Sequence, residues 1–269
     1  MTAFKKFKYI LYTVLLGFML IGCNQKESEN TLKIGTIAGP ETELMEVAKT
    51  ILEKQGINLD IIEFSDYIMP NTALNEGSID ANMFQHEPYL EKTKQDRGYK
   101  LMAIGKTFIY PMAGYSKKYT KISALPHQAK IAIPNDPSNG ARALLLLQDA
   151  GLITLTTGKD ILATPHDILN NPKHIQIIEL DAAQLARALD DVDLAIINTN
   201  YALPVGLIPS KDSLIKEDID SLYANVIAVR EVDKMKPKLK ALVDALHSEQ
   251  VKQAAERLFH GQAIPAWKE

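Results

Sequence analysis

Ile131-Ala132-Ile133-Pro134-Asn135-Asp136-Pro137-Ser138-Asn139-Gly140-Ala141-Arg142, continuing into Ala143-Leu144-Leu145-Leu146-Leu147, reads as a buried strand that passes through a Pro/Asn/Ser loop into an apolar helix. The helix is expected from about Gly140 to Ala150. Such a junction leaves amide N–H groups and the positive end of a helix dipole facing a cleft, where an anion is stabilised. Arg142, read in the first turn, adds a planar fork that matches a carboxylate. The alternative for Arg142 is an ordinary surface arginine in a solvated ion pair.

The same alternation runs outward from this stretch. Upstream, Leu32 to Ala38 alternates and closes at Gly39-Pro40. Leu44, Val47, Ala48, Ile51 and Leu52 then form one helical stripe ending at Gly56. Strands are expected at Leu59 to Phe64 and Ile79 to Phe84, with a short helical piece around Thr72 to Glu76 between them. A helix opened by Pro88 and closed by Gly98 leads to a strand at Leu101 to Phe108. Around the opening stretch lie strands at Met112 to Tyr115 and Ala129 to Ile133. Downstream come a strand at His174 to Leu180, a helix at Ala182 to Leu189 and strands at Leu194 to Ile197 and Ala224 to Val229. Two striped helices, Pro237 to Leu246 and Ser248 to Phe259, close the chain. Two sets of alternating β and α elements argue for two α/β lobes with parallel-rich sheets, and ligands of such folds sit at the C-terminal ends of strands.

Few residues carry recognisable catalytic chemistry. There is no G-x-S-x-G elbow and no H-E-x-x-H, and the six histidines do not fall at metal-ligand spacing. Gly105-Lys106-Thr107 ends like a phosphate loop, but Lys100 stands where that loop needs glycine. Neither an enzyme, a metal centre nor a bound cofactor is expected. An aromatic cluster is more informative: Tyr67, then Phe84, His86 and Tyr89 where a strand passes into a helix, could wall an apolar pocket suited to a thioether or aliphatic chain. For Phe84 the alternative is domain core, and for His86 a satisfied structural histidine. Asn198 and Asn225, at strand ends, offer carbonyls to an ammonium group, or are turn residues.

The N-terminus carries an address. Lys5, Lys6 and Lys8 precede an apolar run from Tyr9 to Ile21, and Leu20-Ile21-Gly22-Cys23 places the single cysteine behind small residues. This reads as a bacterial lipoprotein signal at 1–22, removed after export, with Cys23 acylated and 23–31 a polar tether. The uncharged stretch is shorter than the about 20 residues a membrane span needs, so the lipid at Cys23 anchors the chain to the bilayer. Without residues 1–22 the chain has 27 bases against 33 acids, a net charge of −6. The charges are interspersed, so nucleic acid is excluded as a partner. No cysteine remains for a disulfide, and packing alone must hold the fold.

Longer stretches carry a resemblance. Asp66-Tyr67-Ile68-Met69-Pro70-Asn71, the run from Gly77 to Leu90 (Gly-Ser-Ile-Asp-Ala-Asn-Met-Phe-Gln-His-Glu-Pro-Tyr-Leu), Arg97-Gly98-Tyr99-Lys100-Leu101, the run from Tyr110 to Lys118, Pro134 to Asn139 with Arg142, Ile197-Asn198-Thr199 and Asn225 resemble the methionine-binding lipoproteins that feed a methionine ABC importer, the MetQ/NlpA lipoprotein family. The resemblance implies a two-lobed periplasmic-binding-protein fold, type 2-like, each lobe a mixed, largely parallel sheet flanked by helices. It divides the chain into lobe 1 (32–108 plus 227–269) and lobe 2 (109–226), with hinges near Phe108 to Pro111 and near Asn225. It implies a monomeric, lipid-anchored receptor of the cell envelope that hands L-methionine to a membrane-embedded permease, with D-methionine and methionyl peptides as further candidate ligands. Carried over by position, Arg142 takes the ligand carboxylate, Asn198 and Asn225 the amino group, and Tyr67, Phe84, His86 and Tyr89 enclose the side chain. Asn139 lines the same cleft, and Asn200 stands where a hydroxyl residue is common.

Overall fold

The computed structural model describes residues 30–158, 161–218 and 222–267. The expected export signal, Cys23 and the tether up to residue 29 lie outside these residues. β1 (Thr31–Ile37) ends in a glycine turn, and Pro40, whose fixed φ suits a first helical turn, opens α1 (Pro40–Glu53). β2 (Asn58–Phe64), α2 (Met69–Asn75), β3 (Ala81–His86) and α3 (Glu87–Arg97) follow. Gly98 stops α3 in the left-handed region, at φ 68°, where a Cβ would be strained. β4 (Leu101–Ile109) completes this first run.

The second run comprises β5 (Ala113–Tyr115), β6 (Lys130–Pro134), α4 (Pro137–Asp149), β7 (Thr154–Leu155), β8 (Ile168–Asn170) and β9 (Gln176–Leu180). It continues through α5 (Leu185–Ala188), β10 (Leu194–Ile197), α6 (Thr199–Ala202), α7 (Pro209–Asp212) and β11 (Ile215–Lys216). β12 (Ala224–Arg230), α8 (Pro237–Leu246), α9 (Glu249–Leu258) and β13 (Ile264–Pro265) return to the first run.

Two larger sheets result, ordered β13-β4-β12-β3-β1-β2 and β11-β5-β10-β6-β9, with β7 and β8 as a separate pair. β1 lies parallel to β3, and β6 lies parallel to both β9 and β10. β12 comes back from the second sheet and inserts between β3 and β4, antiparallel to both. β5 likewise runs antiparallel to β10 and β11. These returns make the sheets more mixed than βα alternation alone suggests, since an alternation pattern carries no information about where a chain re-enters a sheet. The chain passes between the sheets twice, between β4 and β5 and again between β11 and β12.

Each sheet has its own core. Leu32, Ile34, Leu44, Met45, Leu52, Leu242 and Leu246 close the first, where α1 packs on α8 and α9. Ile131, Ile133, Leu144, Leu147 and Ile196 close the second. A third cluster draws on both: Ile37, Tyr67 and Phe84 from the first run meet Tyr115, Ala132, Leu185 and Ile197 from the second.

Some boundaries differ from expectation. α4 begins at Pro137, capped by Asp136, so Arg142 stands in the second turn and not the first. β3 runs to His86, which makes that histidine the N-cap of α3. The expected helix at 182–189 is a 3-10 turn (Ala182–Gln184) plus the single turn α5. The strands β7, β8, β11 and β13, two or three residues each, are too short to show periodicity.

Candidate functional site

β1 and β3 end side by side, and β6 and β10 end across from them, so the turns after four strands face one cleft. Tyr67, Phe84, Gln85, His86 and Tyr89 from the first side and Asn139 and Asn198 from the second enclose a cavity of about 10 Å³. The rings form a wall: Tyr67 lies 5.8 Å from Phe84, 6.0 Å from Tyr89 and 5.0 Å from Tyr201, centroid to centroid. Tyr89 is fixed by donating its hydroxyl to the Tyr67 carbonyl at 2.8 Å. Behind the wall, Asn71, Asn82 and Gln85 bond to one another at 2.7 to 2.9 Å, a closed amide triangle that ties α2 to β3.

His86 is held in one tautomer. Its Nδ1 accepts from the Tyr89 backbone N–H at 3.2 Å, so Nε2 bears the proton and donates to Asn139 Oδ1 at 3.2 Å. Asn139 Oδ1 also accepts from Asn198 Nδ2 at 2.8 Å, while its own Nδ2 donates to both oxygens of Asp136 at 3.0 Å. This chain leaves Asn198 Oδ1 buried and without a partner among the described residues, on a side chain that lines the enclosed space. Tyr67 donates to Asn200 Oδ1 at 2.6 Å and Tyr201 to the Ser65 carbonyl at 3.2 Å, so both sides of the cleft are bolted together.

Arg142 is placed differently. Its Nε and Nη2 donate to Glu217 at 2.7 and 2.6 Å, Nη2 also donates to the Tyr110 carbonyl at 2.8 Å, and its Cζ sits 4.4 Å above the Tyr223 ring. Tyr223 in turn packs against His86 at 5.1 Å. Arg142 thus stands behind the imidazole and lines no part of the small cavity. Asp136 already occupies the N-terminus of α4, accepting from Asn139 N at 2.9 Å, so the helix end expected to hold a free anion holds this carboxylate. Asn225 faces His86 in the β12–β3 register and donates from Nδ2 to Glu41 at 3.3 Å. It lies beside the aromatic set and not on the cavity wall.

Among the buried groups whose titration is shifted, His86 and Glu41 bear on the neutral-to-acid range in opposite directions. Burial, reinforced by the Arg142 charge, brings the His86 imidazole down to about 3. Burial pushes the Glu41 carboxyl up to about 8 against the lowering by its bond from Asn225. The unfolded chain therefore binds the extra proton of His86 between pH 6.5 and 3, and stability falls as pH drops through that window. For Glu41 the folded chain holds the proton, and stability falls as pH rises from 4.5 to 8. Each slope is at most about 1.4 kcal/mol per pH unit. The two cancel between 4.5 and 6.5, so Glu41→Gln is expected to flatten the decline above pH 6.5 in melting curves and to uncover the His86 rise between 4.5 and 6.5, leaving the slope below 4.5 unchanged.

Sequence reading missed Glu41, Glu217, Tyr201 and Tyr223. Glu217 is 75 residues from Arg142, and no local spacing signals the pair. Glu41 sits in an acidic first helical turn, where carboxylates are common for dipole reasons alone.

Two mixed α/β sheets joined by two crossings, with strand ends and a ring-walled cavity between them, define a two-lobed substrate-binding protein. The family model for NlpA lipoproteins matches residues 32–267. D-methionine-binding lipoprotein MetQ of Salmonella typhi is 47% identical over 98% of this chain and 100% of its own length. A periplasmic substrate-binding protein of an ABC transporter from Coxiella burnetii superposes with a TM-score of 0.85 at 60% identity, covering 87% of this chain and 100% of its own. A nutrient-binding protein from Burkholderia cenocepacia bound to methionine gives 0.86 at 49% identity, over 88% and 100%. The chain belongs to the NlpA lipoprotein family. It is a solute-binding protein of the cell envelope and not an enzyme.

Proposed function

We propose that the chain captures methionine between its lobes and delivers it to the membrane-embedded permease of an ABC importer, while acyl chains on Cys23 hold it at a bacterial membrane. The observation that carries this reading is that Tyr67, Phe84 and Tyr89 line one cavity with Asn198, whose side-chain carbonyl oxygen has no partner among the described residues: rings for a thioether, an acceptor for an ammonium. The enclosed space of about 10 Å³ has room for about one water. A solute therefore enters only when the lobes part, by rotation about the β4–β5 crossing at residues 110–112 and the return into β12 that releases the Tyr67–Asn200 and Tyr201–Ser65 bonds. Arg142 serves the ligand carboxylate once the lobes turn, through Nη1 or by exchange with Glu217. Asn139 and Asn198 contact the backbone atoms of the ligand, with Asn225 beside them.

The test is a thermal-shift series on chain that has been unfolded and refolded to strip retained solute, against every amino acid and D-methionine. At a hundred times Kd, L-methionine should add about 2.7 kcal/mol of stability. No shift with either methionine enantiomer would count against the reading.

A further inference from the structure

Glu41 is a buried carboxyl to which the methionine reading above gives no role. β1 leads through Gly39 into α1, and Glu41 in its first turn is 1% exposed. Because β1 and β3 are parallel neighbours, the turn carrying Glu41 and the turn carrying His86 lie at the same edge of the sheet, and Asn225, which faces His86 in the β12–β3 register, bonds to Glu41. Glu41 Oε1 accepts from Asn225 at 3.3 Å, and the Asn225 carbonyl is held by Thr107 Oγ1 at 3.2 Å. Oε2 is buried and bonds to no described residue, and the Tyr110 hydroxyl is in the same condition. A carboxyl buried among tyrosines with one oxygen unserved is costly unless a donor reaches it.

The charges of the cleft point the same way. The fork of Arg142 is already matched by Glu217, and Asp136 already accepts from Asn139 and Ser138. An α-ammonium brings three donors and a full positive charge, whereas the Asn198 carbonyl supplies one acceptor and no charge. We propose that Glu41 is the counter-charge for the ligand's ammonium group, accepting from it through Oε2 while Asn225 holds Oε1, and that it sets the preference for α-amino acids over acids of the same shape. This assignment rests on the methionine reading. An ammonium beside the carboxylate favours its ionised form and offsets the burial.

Calorimetric titration of the refolded mature chain with L-methionine and with 4-(methylthio)butanoate, which lacks only the amino group, tests this. The unaltered chain should prefer methionine by about 30-fold or more. Glu41→Gln, near-isosteric, should lose most of that preference by weakening methionine while leaving the des-amino acid within about threefold. Equal weakening of both ligands, or unchanged methionine affinity, would overturn the assignment and leave the methionine reading standing. If the variant does not fold, the unaltered chain still decides: a des-amino acid that binds as tightly as methionine excludes a counter-charge. If the unaltered chain binds no methionine, the parent reading falls and this one with it.

Discussion

Arg142→Ala is expected to destabilise the chain by about 3 to 5 kcal/mol and to weaken methionine binding by about 2 to 5 kcal/mol. The stability loss comes from Glu217, whose carboxylate would be left in place with only the Met112 backbone N–H at 2.8 Å. The Tyr110 carbonyl would also lose its donor, in the segment where the chain crosses between the lobes. The two effects separate in a double-mutant cycle. Arg142→Ala with Glu217→Ala should recover much of the stability, since no unpaired buried charge remains, but none of the binding. Chemical denaturation and titration of the three variants check this. Near-wild-type affinity in Arg142→Ala would remove the arginine from the site.

Phe84→Ala should cost about 3 to 5 kcal/mol of stability, because the ring is 4% exposed and spans the cluster shared by both sheets. Methionine affinity should fall by about 2 kcal/mol or more, the scale of a buried aromatic anchor. Phe84→Leu distinguishes ring chemistry from filled volume. It should keep most of the stability and lose about 0.3 to 1.5 kcal/mol of affinity for methionine, the worth of a sulfur–ring contact. Norleucine, which has no sulfur, should not register the change to leucine to the same degree. Equal losses for both ligands would show that Phe84 acts only as packing.

Much of this architecture is legible in the sequence. The stripe of Leu44, Ala48 and Leu52 and the alternation of Leu32 and Ile34 report faces that do become buried, because periodicity is the imprint of a single core face. The rings Tyr67, Phe84 and Tyr89 stand together because Phe84 and Tyr89 flank one strand–helix junction and α2 is tied to that strand by the Asn71 and Gln85 amides. What the sequence withholds is anything made across the chain. The partner of Arg142 lies 75 residues away, that of Tyr67 133, and that of Glu41 184. The direction in which β12 re-enters the first sheet is also set by a connection through another lobe. Arg142 illustrates the consequence: its type and helix position suggest a free anion receptor, while its environment supplies a resident carboxylate, Glu217.

The central claim is that a thioether amino acid lies between the lobes with its sulfur against the rings. A crystal of the refolded chain grown with L-selenomethionine as the added ligand tests it most directly, since anomalous scattering locates the selenium independently of any fitted side chain. The expected peak lies among Tyr67, Phe84 and Tyr89, with the amino group on the Asn198 and Glu41 side. A selenium found outside that ring wall, or none in the cleft at saturating ligand, would contradict the account.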